Sequence, residues 1–150
     1  MNDPAQFTDT SNRHELPFLF AGQAQKEFTV NEAIARIDLL LHPQVVEQRA
    51  SEPAAPSPGD CYLVSAGATG AFAGQDDTIA GWDGQQWSFV SPVAGMELRD
   101  ASSNALLRFE NGWQQPAAVA DPSGGTTIDA EARSALTALL IALRENGTIS

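Results

Sequence analysis

The chain has 150 residues, 43% hydrophobic and 18% charged, with a formal net charge of −11. That is enough apolar material for one domain or two small lobes and too much for a disordered chain. The acidic balance argues against binding to nucleic-acid backbones or anionic membranes, which need basic patches, and no run reaches the roughly 18 apolar residues of a membrane span.

Residues 1–15 are polar, with Pro4 and scattered Asp, Asn, Ser and Thr, and read as a flexible arm. They lack the basic and apolar regions of a signal peptide, so the chain is expected to be made and folded in the cytoplasm. Residues 16–50 read as a helical lobe. Leu16 to Phe20 is apolar and extended, because Pro17 fixes φ and removes a donor. Thr29 and Glu32 have the spacing of a capping box. Ala33, Ile34, Ile37, Leu40 and Leu41 recur at helical spacing, a stripe that must pack on something. Pro43 stops the helix near Leu41, and His42 ends it, where the dipole favours positive charge. Val45 to Arg49 is a short candidate strand.

Ser51 to Gly59 carries three prolines besides Ala and Ser and reads as a stiff connector. Residues 60–115 read as one lobe of β-hairpins. Its strands are 61–64, Thr78 to Trp82, Gln86 to Val90, Met96 to Arg99, and Ala105 to Phe109 with Trp113. Asp83-Gly84 and Asn111-Gly112 are the turn signals. Residues 116–126 are a linker by composition. Residues 127–147 are an oligomerisation helix, capped by Thr127 or Asp129 and ended by Asn146-Gly147. Ala132, Leu136, Leu139 and Leu143 form a heptad seam that Ala135 and Leu140 widen. The fold class is therefore α+β: an extended arm and helix, a central antiparallel hairpin lobe, and a C-terminal helix forming an oligomeric bundle. Self-association of that helix is the physical inference, weighed against its folding back onto residues 30–41, and a homotrimer is expected.

Little points to catalysis. Cys61 is the only cysteine, which excludes an internal disulfide and a thiolate zinc site within one chain. It reads as a packed core thiol. Asp76-Asp77 is an adjacent acidic pair, but the calcium-loop pattern is absent and a solvated turn is the better reading. No catalytic motif is recognisable, so no enzyme, cofactor or metal is expected. A glycan-cleaving site would need two close carboxylates, one of raised pKa. Trp82, Trp87 and Trp113, with Phe72, lie among Asp, Asn and Gln. Such rings are glycan-binding candidates, weighed against a plain role as the core of a small sheet.

One resemblance spans roughly residues 16 to 92. Leu16-Pro17-Phe18-Leu19, Ala21-Gly22-Gln23-Ala24-Gln25-Lys26 and Thr29-x-Asn31-Glu32-Ala33, with Asp38, carry its first part. Pro58-Gly59-Asp60-x-Tyr62-Leu63-Val64, Gly67 to Gly74, and Trp82-Asp83-Gly84 with Trp87-x-Phe89 carry its second. These strings resemble an uncharacterised family of phage, prophage and gene-transfer-agent virion proteins from alphaproteobacteria. Phe72 departs from an expected Trp, and the segment after Trp113 is short and Ala-rich. The last helix is similar to the endings of phage tail-associated proteins. The resemblance implies a virion location and a structural role in a tail-tip fibre or head-spike assembly. The implied partners are further copies of the chain and other virion proteins. The alternative is a carbohydrate-binding adhesin contacting host surface polysaccharide.

Overall fold

A computed structural model of the chain describes residues 9–22, 24–126 and 129–149. Among the described residues the protein is mixed α+β, with two α-helices and two small sheets. It divides into two compact units, Met1–Pro92 and Val93–Ser150. The expected single lobe over 60–115 is thus cut within its length. The cut falls where Ser91-Pro92 ends one hairpin.

The first unit contains α1 (Lys26–Leu40), β1 (Gln44–Val45), β2 (Gln48–Arg49), β3 (Cys61–Val64), β4 (Ile79–Trp82) and β5 (Trp87–Val90). The expected strand over Val45 to Arg49 is two pieces with a break between them. Strand β2 runs parallel to β3, and β3–β4–β5 is an antiparallel meander in which Tyr62 faces Ala80 and Trp82 faces Trp87. The β4–β5 turn forms because Asp83 Oδ1 accepts the amides of Gln85 and Gln86, both at 2.7 Å, and Gly84 takes a left-handed φ of 104°. Side chains alternate across a strand. One face of the sheet carries Tyr62, Val64 and Ala80, on which Phe72, Trp87 and Phe89 pack. The other carries Cys61, Leu63, Ile79 and Gly81. There the C-terminal part of α1 docks: a Cβ on Gly81 would collide with the Leu39 side chain.

Helix α1 departs from expectation at its start and on its inner face. It begins at Lys26, entered through left-handed Ala24 and Gln25, and Gln25 gives no side-chain cap. Thr29 lies inside the first turns, so the expected capping box does not cap. Instead Glu27 Oε1 accepts the Gly22 amide at 3.2 Å. The expected apolar stripe does not face in. Ile37 is 49% exposed, and Leu40 and Leu41 are exposed too, whereas Asp38 and Leu39 are buried. The inner face is partly polar because it holds the arm. Asp38 accepts the amides of Arg13 at 3.0 Å and His14 at 2.8 Å. Asn31 exchanges two hydrogen bonds with the Leu19 backbone. Arg13 donates to the carbonyls of Asp38, Leu39 and His42, closing the last turn of the helix. Residues 9–15 of the expected flexible arm are thus docked, with Thr10 bridged to Pro17. The expectation for residues 1–8 lies outside the described residues.

The second unit contains β6 (Glu97–Asp100), β7 (Ala105–Phe109), β8 (Trp113–Gln114) and α2 (Ala130–Glu145). Strands β6, β7 and β8 are antiparallel neighbours, with Leu98 opposite Leu107 and both buried. Asp129 caps α2, accepting the Ala132 amide at 2.9 Å; the alternative cap, Thr127, lies outside the described residues. Past the helix, Gly147 takes a φ of 69° and its carbonyl accepts the Leu106 amide at 3.1 Å. Arg99 and Asn104 hold the carbonyls of Asn146 and Glu145. The segment expected as a linker lies along the helix: Arg144 reaches Val119 O and Asp121, and Arg133 reaches the carbonyls of Pro122 and Gly124.

Candidate functional site

The first unit opens a groove of about 990 Å³ between the arm, α1 and the β4–β5 hairpin. It exists because α1 touches the sheet at its C-terminal end, at Leu39 on Gly81, while its first turns stand off. Small side chains, Ala35, Gly81 and Ser88, leave room on the floor. The walls bring together Asp9, Glu27, Glu32, Asp83 and the amides of Gln85 and Gln86, with Phe18 and Phe28 at the arm and helix side. Phe28 is 75% exposed. Glu32 is paired with Arg36 at 2.9 Å. Glu27 Oε2 is buried and has no hydrogen-bond partner among the described residues. The groove is therefore rich in acceptors, and its charge favours a neutral or cationic ligand with hydrogen-bond donors over an anionic one.

The glycan-binding candidates are divided between the two units. Phe72 is fully buried at 0% exposure, so its ring is core; it meets Trp87 at 5.0 Å and Phe89 at 5.9 Å, both edge-on. This corrects its assignment as a surface platform. Trp87 is half-buried in the same cluster and touches Tyr62. Trp82 is half-buried at the end of this aromatic row, 5.0 Å from Trp87 and tilted by 48°. Strand alternation puts the Trp82 ring on the sheet face away from α1, although the residue borders the groove. Trp113 belongs to the second unit and packs against Phe109 at 5.4 Å.

The proposed oligomerisation residues separate by face. Ala132, Leu136 at 49% and Leu139 at 54% are exposed, while Leu140 and Leu143 are half-buried. At about 100° per residue, the half-buried side of α2, Arg133, Thr137, Leu140 and Arg144, lies roughly a quarter turn from the seam. No described α2 residue is buried.

The remaining chemical candidates are structural. Asp76 accepts the amides of Gly67 and Ala68, holding the small-residue loop. Among the described residues no three His, Cys, Asp or Glu side chains converge on a metal position. Cys61 is buried, which pushes its thiol up to about 11 and suppresses the thiolate. His14 Nε2 sits 2.9 Å from Leu41 O and its ring centroid is 5.9 Å from that of His42, both at the end of α1. The sequence reading missed Glu27, and missed Asn31 and Asp38 as the residues that build the groove wall. The signal was present: Asn31 and Asp38 are polar residues within or beside an otherwise apolar helix pattern.

Residues 30–114 match the family model described as a protein of unknown function (DUF2793). The chain belongs to this family. The matched span begins inside α1 and ends at β8, so the DUF2793 region takes in both sheets and leaves α2 and the whole arm outside. No curated protein and no solved structure matches the chain.

Proposed function

We propose that this DUF2793 protein is a non-enzymatic, self-assembling structural component of a phage or phage-like particle, in a tail-tip fibre or head-spike assembly. The observation that carries the reading is the exposed seam of α2. A 16-residue helix with Leu136 and Leu139 in water, and none of its described residues buried, is marginal alone and gains by association. The particle context is supported by the resemblance over residues 16–92. The stoichiometry we propose is a homotrimer. Light scattering at micromolar concentration on the full chain and on a version ending at Pro122 tests it. A trimer that falls to monomer on truncation is expected; a full-length monomer at all concentrations rules out the self-assembly.

A second reading is a carbohydrate-binding role, favoured by Trp82, which is half-exposed beside the carboxylate and amides of the 83–86 turn. Titration with surface polysaccharide fragments, read by tryptophan fluorescence, tests it. Binding that Trp82→Ala abolishes is expected, and a flat titration counts against it.

A further inference from the structure

We infer that Asn111 is a site of spontaneous covalent modification: the Gly112 amide nitrogen attacks the Asn111 side-chain carbonyl, and the residue converts to aspartate and isoaspartate in the folded chain. This needs neither an assembly nor a ligand.

The chain places a carboxyl or carboxamide side chain directly before glycine at Asp83-Gly84, Asn111-Gly112 and Asn146-Gly147. Glycine favours ring closure because it has no Cβ to crowd the approaching nitrogen. The two Asn-Gly pairs are equal as sequence, and the fold separates them. Asn146 lies in the stop of α2. Its own amide donates to Ala142 O at 3.2 Å, the Gly147 amide to Arg144 O at 2.9 Å, and the Thr148 amide to Leu143 O at 2.9 Å. Gly147 is buried. Closing a ring there means turning the Gly147 nitrogen out of its hydrogen bond and taking its proton inside a packed cap. Asp83 is protected differently. Its carboxylate is a poor electrophile, and Oδ1 is held by the amides of Gln85 and Gln86, both at 2.7 Å.

Asn111 has neither protection. It is exposed at the tip of the second unit's hairpin, in the loop Glu110-Asn111-Gly112 between the paired Phe109 and Trp113. The hydrogen bond across this loop runs from the Glu110 amide to Gly112 O at 3.2 Å and does not use the Gly112 nitrogen. Among the described residues neither the Asn111 carboxamide nor the Gly112 amide has a hydrogen-bond partner. At an exposed loop tip that nitrogen can turn towards Cγ and lose its proton to hydroxide without breaking a bond of the fold.

The new bond joins the Gly112 nitrogen to Asn111 Cγ. The Cγ–Nδ2 bond breaks, and ammonia leaves carrying the proton that the Gly112 nitrogen gave up. Water then opens the cyclic imide. Opening at the side-chain carbonyl gives aspartate; opening at the main-chain carbonyl gives isoaspartate, whose main chain runs through the side-chain carbon. Either product adds one negative charge beside Glu110, which pairs with Arg108 at 2.7 Å.

The test incubates the full-length chain in mildly alkaline buffer and digests it with trypsin, an unincubated sample giving the starting point. Cleavage after Arg108, Arg133 and Arg144 puts the two Asn-Gly pairs in separate peptides. Chromatography with mass detection should show the peptide that starts at Phe109 converting to paired aspartate and isoaspartate forms. It should do so roughly 5- to 30-fold faster than the peptide that starts at Glu145, as one or two hydrogen bonds to be broken at Gly147 imply. In guanidinium chloride the two rates should become similar. Equal rates in the folded chain, or faster conversion at Asn146, would overturn the inference. So would a folded chain that stays unconverted at Asn111 while the denatured chain converts. Asn111→Gln, whose longer side chain closes a ring far less readily, should leave the first peptide intact; conversion that persists in this variant would place the chemistry elsewhere and also overturn it.

Discussion

Asp38 occupies a position on the inner face of α1 where an amphipathic helix would ordinarily place a leucine. It is buried, and both its oxygens are used by the consecutive amides of Arg13 and His14. Hydrogen bonds to a charged acceptor are the stronger kind, and removing the acceptor leaves two donors to be resolvated. Asp38→Ala should therefore release the arm at a cost of about 2 kcal/mol, while the sheet, which does not depend on it, stays folded. Trypsin cleavage after Arg13 should speed up roughly 10- to 30-fold, as that free energy implies. Asp100 makes a parallel case in the second unit. Burial alone would raise its pKa, but the Ser102 hydroxyl and amide and the Ser103 hydroxyl, at 2.7 to 2.9 Å, outweigh burial and hold it below the ordinary value. A carboxyl with a depressed folded pKa stabilises above the unfolded Asp value of about 3.9 and loses that contribution as pH falls through the folded value. Protection factors at Leu98 and Leu107, with the intrinsic pH dependence of exchange divided out, should accordingly fall on acidification from pH 5 towards 2, and this fall should flatten in Asp100→Asn.

At the scale of elements, Gly147 decides where α2 is held. Its φ is positive, and a Cβ there would collide with the backbone of Asn104 and Leu106. Gly147→Ala combines left-handed strain of about 1 kcal/mol with loss of the hydrogen bond from the Leu106 amide. The expected result is faster exchange at Leu106 with the helix itself intact; unchanged protection would show that Arg99 and Asn104 suffice. The elements that could be read from sequence were those with local signals. Asp83-Gly84 and Asn111-Gly112 mark turns by their own backbone preferences, and the Asp129 cap and Asn146-Gly147 stop bound α2 by chemistry within one turn. What could not be read depends on distant partners. The start of α1 is set by Glu27 folding back on Gly22, and its polar inner face makes sense only once Arg13, His14 and Leu19 are known to lie against it. Phe72 gives the same lesson for the candidate site: its ring is core because Trp87 and Phe89 close over it from another hairpin. The division after Pro92 was hidden because both hairpins share the same composition.

For the whole molecule, charge and apolar surface pull in opposite directions. A copy carries a net charge of −11, and a trimer gathers three such charges, so every approach of one copy to another works against long-range repulsion. The attraction proposed between copies is short-ranged, the contact of the exposed apolar seam of α2. At an ionic strength of about 0.01 M the screening length is near 30 Å, comparable to the size of the units, whereas at about 0.15 M it is near 8 Å. Added salt therefore removes most of the repulsion between whole copies before it greatly weakens pairs in contact. Exposed pairs contribute only about 0.2–1 kcal/mol each, so their loss is the smaller effect. Association should tighten as sodium chloride is raised from 10 to about 150 mM, read by sedimentation or light scattering. Association that weakens steadily over that range would mean that ion pairs, not the apolar seam, dominate the contact.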